Sequence, residues 1–179
     1  MLLPVLSGCA DNSDKKVSKS GFYFDTIITI TLYGTDDESY IDSCFALADE
    51  YENKFSNTIE TSEISQINQA NGQAVSVSDE TIELLTAGIE YGSISNGLFD
   101  ITIGDLSDLW NFSEISENLD SADNETDASV IPADEEIQTA LSHVGYQNIQ
   151  IDGNTVRLTD PKSKIDVGGI EKGYIADQM

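Results

Sequence analysis

Basic residues are scarce in this chain: 8 Lys and Arg stand against 33 Asp and Glu among 179 residues, a formal net charge of −25 with the single histidine neutral. Affinity for nucleic acid comes largely from Lys and Arg that displace counterions from phosphates, so nucleic acid is excluded as a partner. Only 3 prolines accompany 13 glycines, which removes collagen-like and proline-rich linker classes. Long apolar runs are missing too. The opening MLLPVLSGCA falls short of the roughly 20 residues a membrane-spanning helix needs. Against these gaps stand a hydrophobic fraction of 39%, 7 Tyr and 6 Phe, enough apolar material for a folded core. The length suits one domain or most of a larger one.

The two cysteines have different surroundings. Leu6-Ser7-Gly8-Cys9 resembles the bacterial lipobox, in which a signal peptidase cuts on the N-terminal side of the cysteine and the thiol carries diacylglycerol. Residues 1–9 are therefore expected to be a lipoprotein signal, with Cys9 the lipidation site holding the protein at the extracytoplasmic face of the bacterial membrane. Residues 10–21, DNSDKKVSKSG after Ala10, show no apolar periodicity and are expected to form a flexible tether. Cys44 then has no disulfide partner and is expected to be a buried thiol on a helix. At the other end GGIEKGYIADQM reads as a strand-to-helix turn with the chain stopping inside the helix, the expectation for the N-terminal part of a longer protein.

Between the ends, alternation in Phe22 to Tyr33 predicts one strand. Apolar residues at three- and four-residue steps from Ile41 to Phe55 predict an amphipathic helix. Ser62-Glu63-Ile64-Ser65 opens a short helix, and Ser76 or Ser78 caps a longer one through Ile82, Leu85 and Ile89. Ser95 to Phe112 reads as a packed loop with a short extended piece, and 113–131 as an acidic surface excursion. A helix with Ile137, Ala140, Leu141 and Val144 on one face stops at Gly145. NIQI and TVRL around Asp152-Gly153-Asn154 predict a hairpin, and SKIDV a strand feeding Gly168-Gly169. Helices and strands do not alternate strictly, which favours α+β.

Few residues carry chemistry on their own. His143 near a helix end suits the helix dipole, and Trp110 is a core or lid aromatic. Gly168-Gly169-Ile170-Glu171-Lys172-Gly173 admits two readings. It is either a structural tight turn, or a place where backbone N–H groups at a helix start meet an anion such as a phosphate. It is not a Walker A loop and lacks the G-x-G-x-x-G fingerprint.

Taken together, Phe24-Asp25-Thr26, Phe55-Ser56 with Ser62-Glu63-Ile64-Ser65 and Asn68, Ser95-x-Gly97-x-Phe99-Asp100-Ile101-Thr102-Ile103-Gly104 with Leu109-Trp110, Val144-Gly145-Tyr146, and Ile165-Asp166-Val167-Gly168-Gly169-Ile170-x-Lys172-Gly173-Tyr174-x-x-Asp177 resemble the ApbE family of FAD:protein FMN transferases. The resemblance implies a T-fold-related α+β domain of mixed sheets and packed helices, of which residues 22–179 are the N-terminal part. It implies a reaction in which FAD is split at its pyrophosphate, FMN passes to a threonine of a partner such as a respiratory redox-pump subunit, and AMP leaves. It also implies Mg²⁺. Carried over position by position, Phe24 and Thr58 stand beside the flavin, Leu98, Phe99 and Asp100 line the FAD pocket, Lys172 lies near the pyrophosphate, and Asp177 contacts the cofactor. The backbone carbonyl of Glu171 would be a metal ligand, with the remaining ligands downstream of residue 179. No catalytic side chain is implied, since the attacking hydroxyl belongs to the partner. The alternatives are an extracytoplasmic flavin-binding lipoprotein and an FAD pyrophosphatase without transfer.

Overall fold

The computed structural model describes residues 15–110 and 131–179. These fall into two compact units, one of residues up to Glu50 with Met179 and one of Tyr51–Gln178.

The first unit begins with an antiparallel hairpin, β1 (Lys16–Tyr23) and β2 (Thr26–Tyr33), in register from Lys16↔Tyr33 to Tyr23↔Thr26. Two expectations are corrected here. Residues 16–21 are strand rather than tether, and Phe22 to Tyr33 is not one strand but the end of β1, a turn and β2. The physical cause is a polar ladder: Ser18 and Ser20 hydrogen-bond Thr31 and Thr29 across the pair at 2.9 and 2.8 Å, so a stretch poor in apolar residues still pairs. The turn is Phe24-Asp25, with φ of 52° and 54°. Side chains resist this left-handed region at about 1–2 kcal/mol per residue, and two-residue hairpin turns usually use Asn-Gly or Asp-Gly there. Lys19 of β1 pairs with Glu38 and Asp42 at 2.8 and 2.7 Å. Tyr23 stacks on Phe45, centroids 5.4 Å apart, which fastens the hairpin to the start of α1 (Ser39–Phe55). Ile41 and Ala48 are buried on that helix, whereas Cys44 is half-buried rather than buried.

The second unit packs α2 (Glu63–Gln69) and α3 (Asp79–Ile94) with a small antiparallel sheet of order β3-β5-β4, where β3 is Val75–Ser76, β4 Ile149–Asp152 and β5 Thr155–Leu158. The predicted hairpin is β4–β5, and β3 adds an edge strand that the sequence did not announce. Ser62 and Ser78 cap α2 and α3 as expected, accepting from Ser65 N and Thr81 N. One carboxylate links the two helices: Glu63 accepts from Ser78 N at 3.0 Å and Ser78 Oγ at 2.8 Å, and from Thr81 Oγ1. Phe55, Ile64, Ile67, Leu84, Leu85, Ile101, Val156, Ile165, Val167 and Ile175 form the core. Gly88 of α3 lies so close to Ile101 that a Cβ would come within 2.4 Å of it. The segment read as a loop holds α4 (Gly104–Trp110). The next helix, α5 (Asp134–Leu141), ends before Gly145 and buries none of its residues, leaving Leu141 exposed. SKIDV is not a strand of a sheet; it is an extended segment with one parallel bridge, Ile103↔Lys164. The chain described ends in α6 (Glu171–Gln178). Of the acidic stretch 113–131, all but Ile131 lies outside the described residues.

Hydrogen bonds to a charged group contribute about 1.5–3 kcal/mol each, and Glu63 holds several at once. Glu63→Ala should lower unfolding free energy by about 2 kcal/mol or more in urea titration, with Glu63→Gln losing less because it keeps one acceptor oxygen.

Candidate functional site

The glycine segment is built from its approach upward. The Asp160 carboxylate and carbonyl hold the Pro161 turn, accepting from Lys162 N at 2.9 Å and Ser163 N at 3.0 Å. The chain then runs extended through Lys164, Ile165 and Asp166. One edge pairs with backbone: Gly104 N donates to Lys164 O at 2.9 Å and Asp166 N to Ile101 O at 2.8 Å. A Cβ on Gly104 would sit 2.8 Å from the Lys164 carbonyl oxygen, so glycine is what lets the backbones meet. The other edge pairs with a single side chain: Asn68 Oδ1 accepts from Ile165 N at 2.7 Å, and Asn68 Nδ2 donates to Ile165 O at 2.9 Å.

Beyond this extended segment the backbone turns. Asp166 Oδ1 accepts from Gly168 N at 2.9 Å. Val167 O accepts from Ile170 N and Glu171 N at 2.9 Å, and Ile170 O from Tyr174 N at 3.1 Å, which starts α6. Among the described residues the N–H groups of Gly169, Lys172 and Gly173 have no acceptor, and the carbonyls of Gly168 and Gly169 have no donor. A helix start leaves such donors open and favours negative charge. Free carbonyls beside a carboxylate are hard-cation donors. The turn therefore offers donors for phosphate oxygens and acceptors for a divalent cation.

The sequence-predicted residues divide around it. Phe99 stands at the turn, its ring within 3.1 Å of where a Gly169 Cβ would lie, and meets Tyr91 edge-on at 6.0 Å. Leu98, beside it, is 94% exposed, open to a ligand. Lys172 is half-exposed, its ammonium 3.4 Å from Glu171 Oε1. Asp100 turns inward: Oδ1 accepts from Thr102 N at 2.8 Å and Thr102 Oγ1 at 2.6 Å, and Oδ2 from Tyr146 N at 2.7 Å. Thr102 Oγ1 in turn accepts from Gly145 N at 2.7 Å. The carboxylate thus ties the Phe99 segment to the 145–146 turn, where a nucleotide contact was expected. Thr58 is exposed and shares a hydrogen bond with Ser56 Oγ at 3.0 Å. Phe24 lies in the first unit, buried at the strained turn. Asp177 is exposed on α6, about 9 Å along the axis from Glu171 at 1.5 Å per residue, so it does not share the turn. Cys9 lies outside the described residues.

The Glu171 carbonyl, expected as a metal ligand, belongs to the first residue of α6, beside the turn that carries Gly168 and Gly169. The open carbonyls are those of Gly168 and Gly169. Among the described residues no group of three His, Cys, Asp or Glu is arranged to hold a metal. Asp166 with the glycine carbonyls makes a partial oxygen set, which fits Mg²⁺, an ion that keeps waters and shares substrate phosphate oxygens.

A separate cavity of about 800 Å³ is lined by α2, α4, α5 and the Pro161 turn, including Asn68, Asp105, Glu135, His143, Lys162 and Lys164. None of the predicted site residues lines it, so the glycine turn, with its open backbone groups, is the better candidate. His143 Nδ1 there meets Asp160 Oδ2 at 2.7 Å, which fixes the histidine structurally. Sequence reading did not foresee the parts played by Asn68 and by the glycine carbonyls, for which no local pattern exists.

A helix start with open amides, set in an α+β unit and flanked by an aromatic ring, has the donor arrangement that suits a phosphate group. The sequence model of the ApbE family matches residues 24–179, and the chain belongs to that family. An FAD:protein FMN transferase of Vibrio cholerae is 28% identical over 73% of this chain and 36% of its own. One of Klebsiella pneumoniae is 28% identical over 93% of this chain and 50% of its own. The crystal structure of the ApbE protein from Thermotoga maritima superposes with a TM-score of 0.76 at 29% identity, covering 92% of this chain and 51% of that one. The flavin transferase ApbE from Vibrio cholerae gives 0.76 at 25% identity, covering 92% and 52%. The chain thus spans about half the length of these structures or less of its sequence relatives, and its α+β fold is that of the ApbE proteins.

Hydrogen bonding, first from His143 and then from Lys162 N–H, holds the Asp160 carboxyl below the usual carboxylate range. A depressed folded value means the stabilisation is present above the unfolded value of about 3.9 and is lost as pH falls through the folded one. Asp160→Asn should therefore melt below wild type at about pH 7, with the gap closing toward about pH 3 in thermal scans.

Proposed function

We propose that this chain is the FAD-phosphate-holding part of an FAD:protein FMN transferase. The observation that carries the reading is the set of open amides at Gly169, Lys172 and Gly173 within the stretch matched by the family model. In the reaction a threonine hydroxyl of the acceptor protein attacks the FMN phosphorus of FAD. A threonine O–P bond forms, the pyrophosphate P–O bond breaks, the hydroxyl proton passes to solvent, and AMP leaves with the electron pair. The chain's own groups position rather than react. The amides and Lys172 hold phosphate oxygens, Phe99 and Leu98 offer apolar surface beside the turn, and Asp100 keeps that segment in place. Asp166 and the carbonyls of Gly168 and Gly169 would hold Mg²⁺, which supplies charge neutralisation and orientation of the phosphates when bound. The acceptor is proposed to be an extracytoplasmic flavoprotein such as a respiratory redox-pump subunit.

A second reading, flavin binding or FAD hydrolysis without transfer, is favoured by the partial metal set. With FAD, Mg²⁺ and an acceptor, the 179-residue chain is expected to bind FAD by fluorescence titration yet leave no covalent flavin on the acceptor in a denaturing gel. Covalent flavin would show the chain sufficient for transfer. Absence of FAD binding would overturn the whole reading.

Lipidation at Cys9, with residence on the extracytoplasmic membrane face, is proposed from the lipobox resemblance alone. No helix among the described residues is long and apolar enough to cross a membrane. A single acyl chain anchors only marginally, so stable attachment takes more than one. Cys9→Ser should abolish labelling by a palmitate analogue in bacterial cells and move the protein from the membrane to the soluble fraction.

A further inference from the structure

We infer that Asn68 is the positioning residue of the phosphate-binding turn, acting as a one-residue surrogate strand for the segment that carries it. The inference rests on the flavin-nucleotide reading of that turn. Residues 164 and 166 direct their backbone groups to one side, where Lys164 O and Asp166 N meet Gly104 and Ile101. Residue 165 directs its own to the other side, and among the described residues no backbone strand pairs there. A lone N–H and C=O on an extended edge need partners when buried, and Ile165 is fully buried. The Asn68 amide supplies both, at 2.7 and 2.9 Å, from 97 residues away in sequence.

The geometry explains why asparagine and not another side chain stands there. A primary amide presents one acceptor and one donor in the plane a neighbouring peptide would use. Aspartate presents two acceptors, and alanine presents none. The next residue, Asp166, fixes Gly168 through its carboxylate, and Gly169, Lys172 and Gly173 follow. A shift of Ile165 is therefore passed within a few residues to every open amide. Asn68 does not touch the turn's open groups itself, which separates its part from that of a ligand-binding residue.

The test compares Asn68→Ala, Asn68→Asp and a control on the same helix, Gln66→Ala, which also deletes a side-chain bond to backbone, Gln66 Nε2 to Thr61 O at 2.9 Å. Amide hydrogen exchange at Ile165, Asp166 and Gly168 is followed with FAD affinity and thermal melting. Asn68→Ala should speed exchange at those amides and weaken FAD binding at least tenfold, while the β4–β5 amides keep their protection; Gln66→Ala should change neither. Asn68→Asp keeps the acceptor and regains a donor when protonated. Its deficit should shrink between about pH 7 and about pH 5, because an oxygen facing a carbonyl raises the carboxyl's pKa. This pH rescue decides the matter should the alanine variant fail to fold. Equal exchange and equal FAD affinity in Asn68→Ala, or an aspartate deficit indifferent to pH, would overturn the inference. If wild type binds no FAD while the exchange results hold, the flavin reading fails and the positioning role stands.

Discussion

The extended run Lys164 to Asp166 is the constraint on which the site depends, because both of its edges are satisfied by partners remote in sequence. Ile101 and Gly104 hold one edge with backbone groups and Asn68 holds the other with a side chain. Ile165 is fully buried and Val167 nearly so, which anchors the run from beneath. With position and direction set this way, the turn that follows has little freedom. Its open amides need not be gathered by a ligand, and the ordering cost of binding falls accordingly. Preorganised backbone donors are the part of such a site that a loose loop could not supply.

Carboxylates build the scaffold as much as they charge it. Asp100 joins the Phe99 segment to Tyr146, Glu63 joins α2 to α3, and Asp160 joins the Pro161 turn to His143. In each case an acid accepts backbone or hydroxyl hydrogen bonds that would otherwise be left to water. Part of the acidity that first excluded nucleic acid is therefore structural. The Asp100 clamp fixes the backbone that presents Phe99, with both carboxylate oxygens taken up by Thr102 and Tyr146.

What was legible in the sequence was local. The α1 stripe, the serine caps of α2 and α3 and the Gly-Asn turn of β4–β5 depend on neighbours within a few positions, and each was found. The first hairpin was not, because its turn uses Phe24-Asp25 in a conformation normally marked by glycine or asparagine, and β1 is held by a Ser-Thr ladder instead of apolar alternation. The glycine turn was recognised as a motif, whereas the open carbonyls of Gly168 and Gly169 were not singled out. Which carbonyls stay open depends on where α6 starts, at Glu171, and several starting points are compatible with Gly-Gly-Ile-Glu-Lys-Gly. The cavity beside His143 and the bonds from Asn68 to Ile165 arise from tertiary contact, and although Asn68 stands in the family pattern, nothing along the chain announces its partner.

The distribution of positive charge sharpens the chemistry proposed for the turn. Lys15, Lys19, Lys54 and Lys164 are each engaged by an acid, at Asp36, at Glu38 and Asp42, at Glu80 and at Asp108. Lys16 lies over the Tyr33 ring and Arg157 donates to Gln150. At the turn itself stands only Lys172, and its neighbour is the buried Glu171 carboxylate at 3.4 Å. A pyrophosphate brings two negative charges, and side-chain cations at this place cannot balance them together with Glu171 and Asp166. Backbone amides offer partial charge and hydrogen bonds but not full neutralisation. Under the proposed function, a divalent cation held by Asp166 and the glycine carbonyls would supply the missing positive charge.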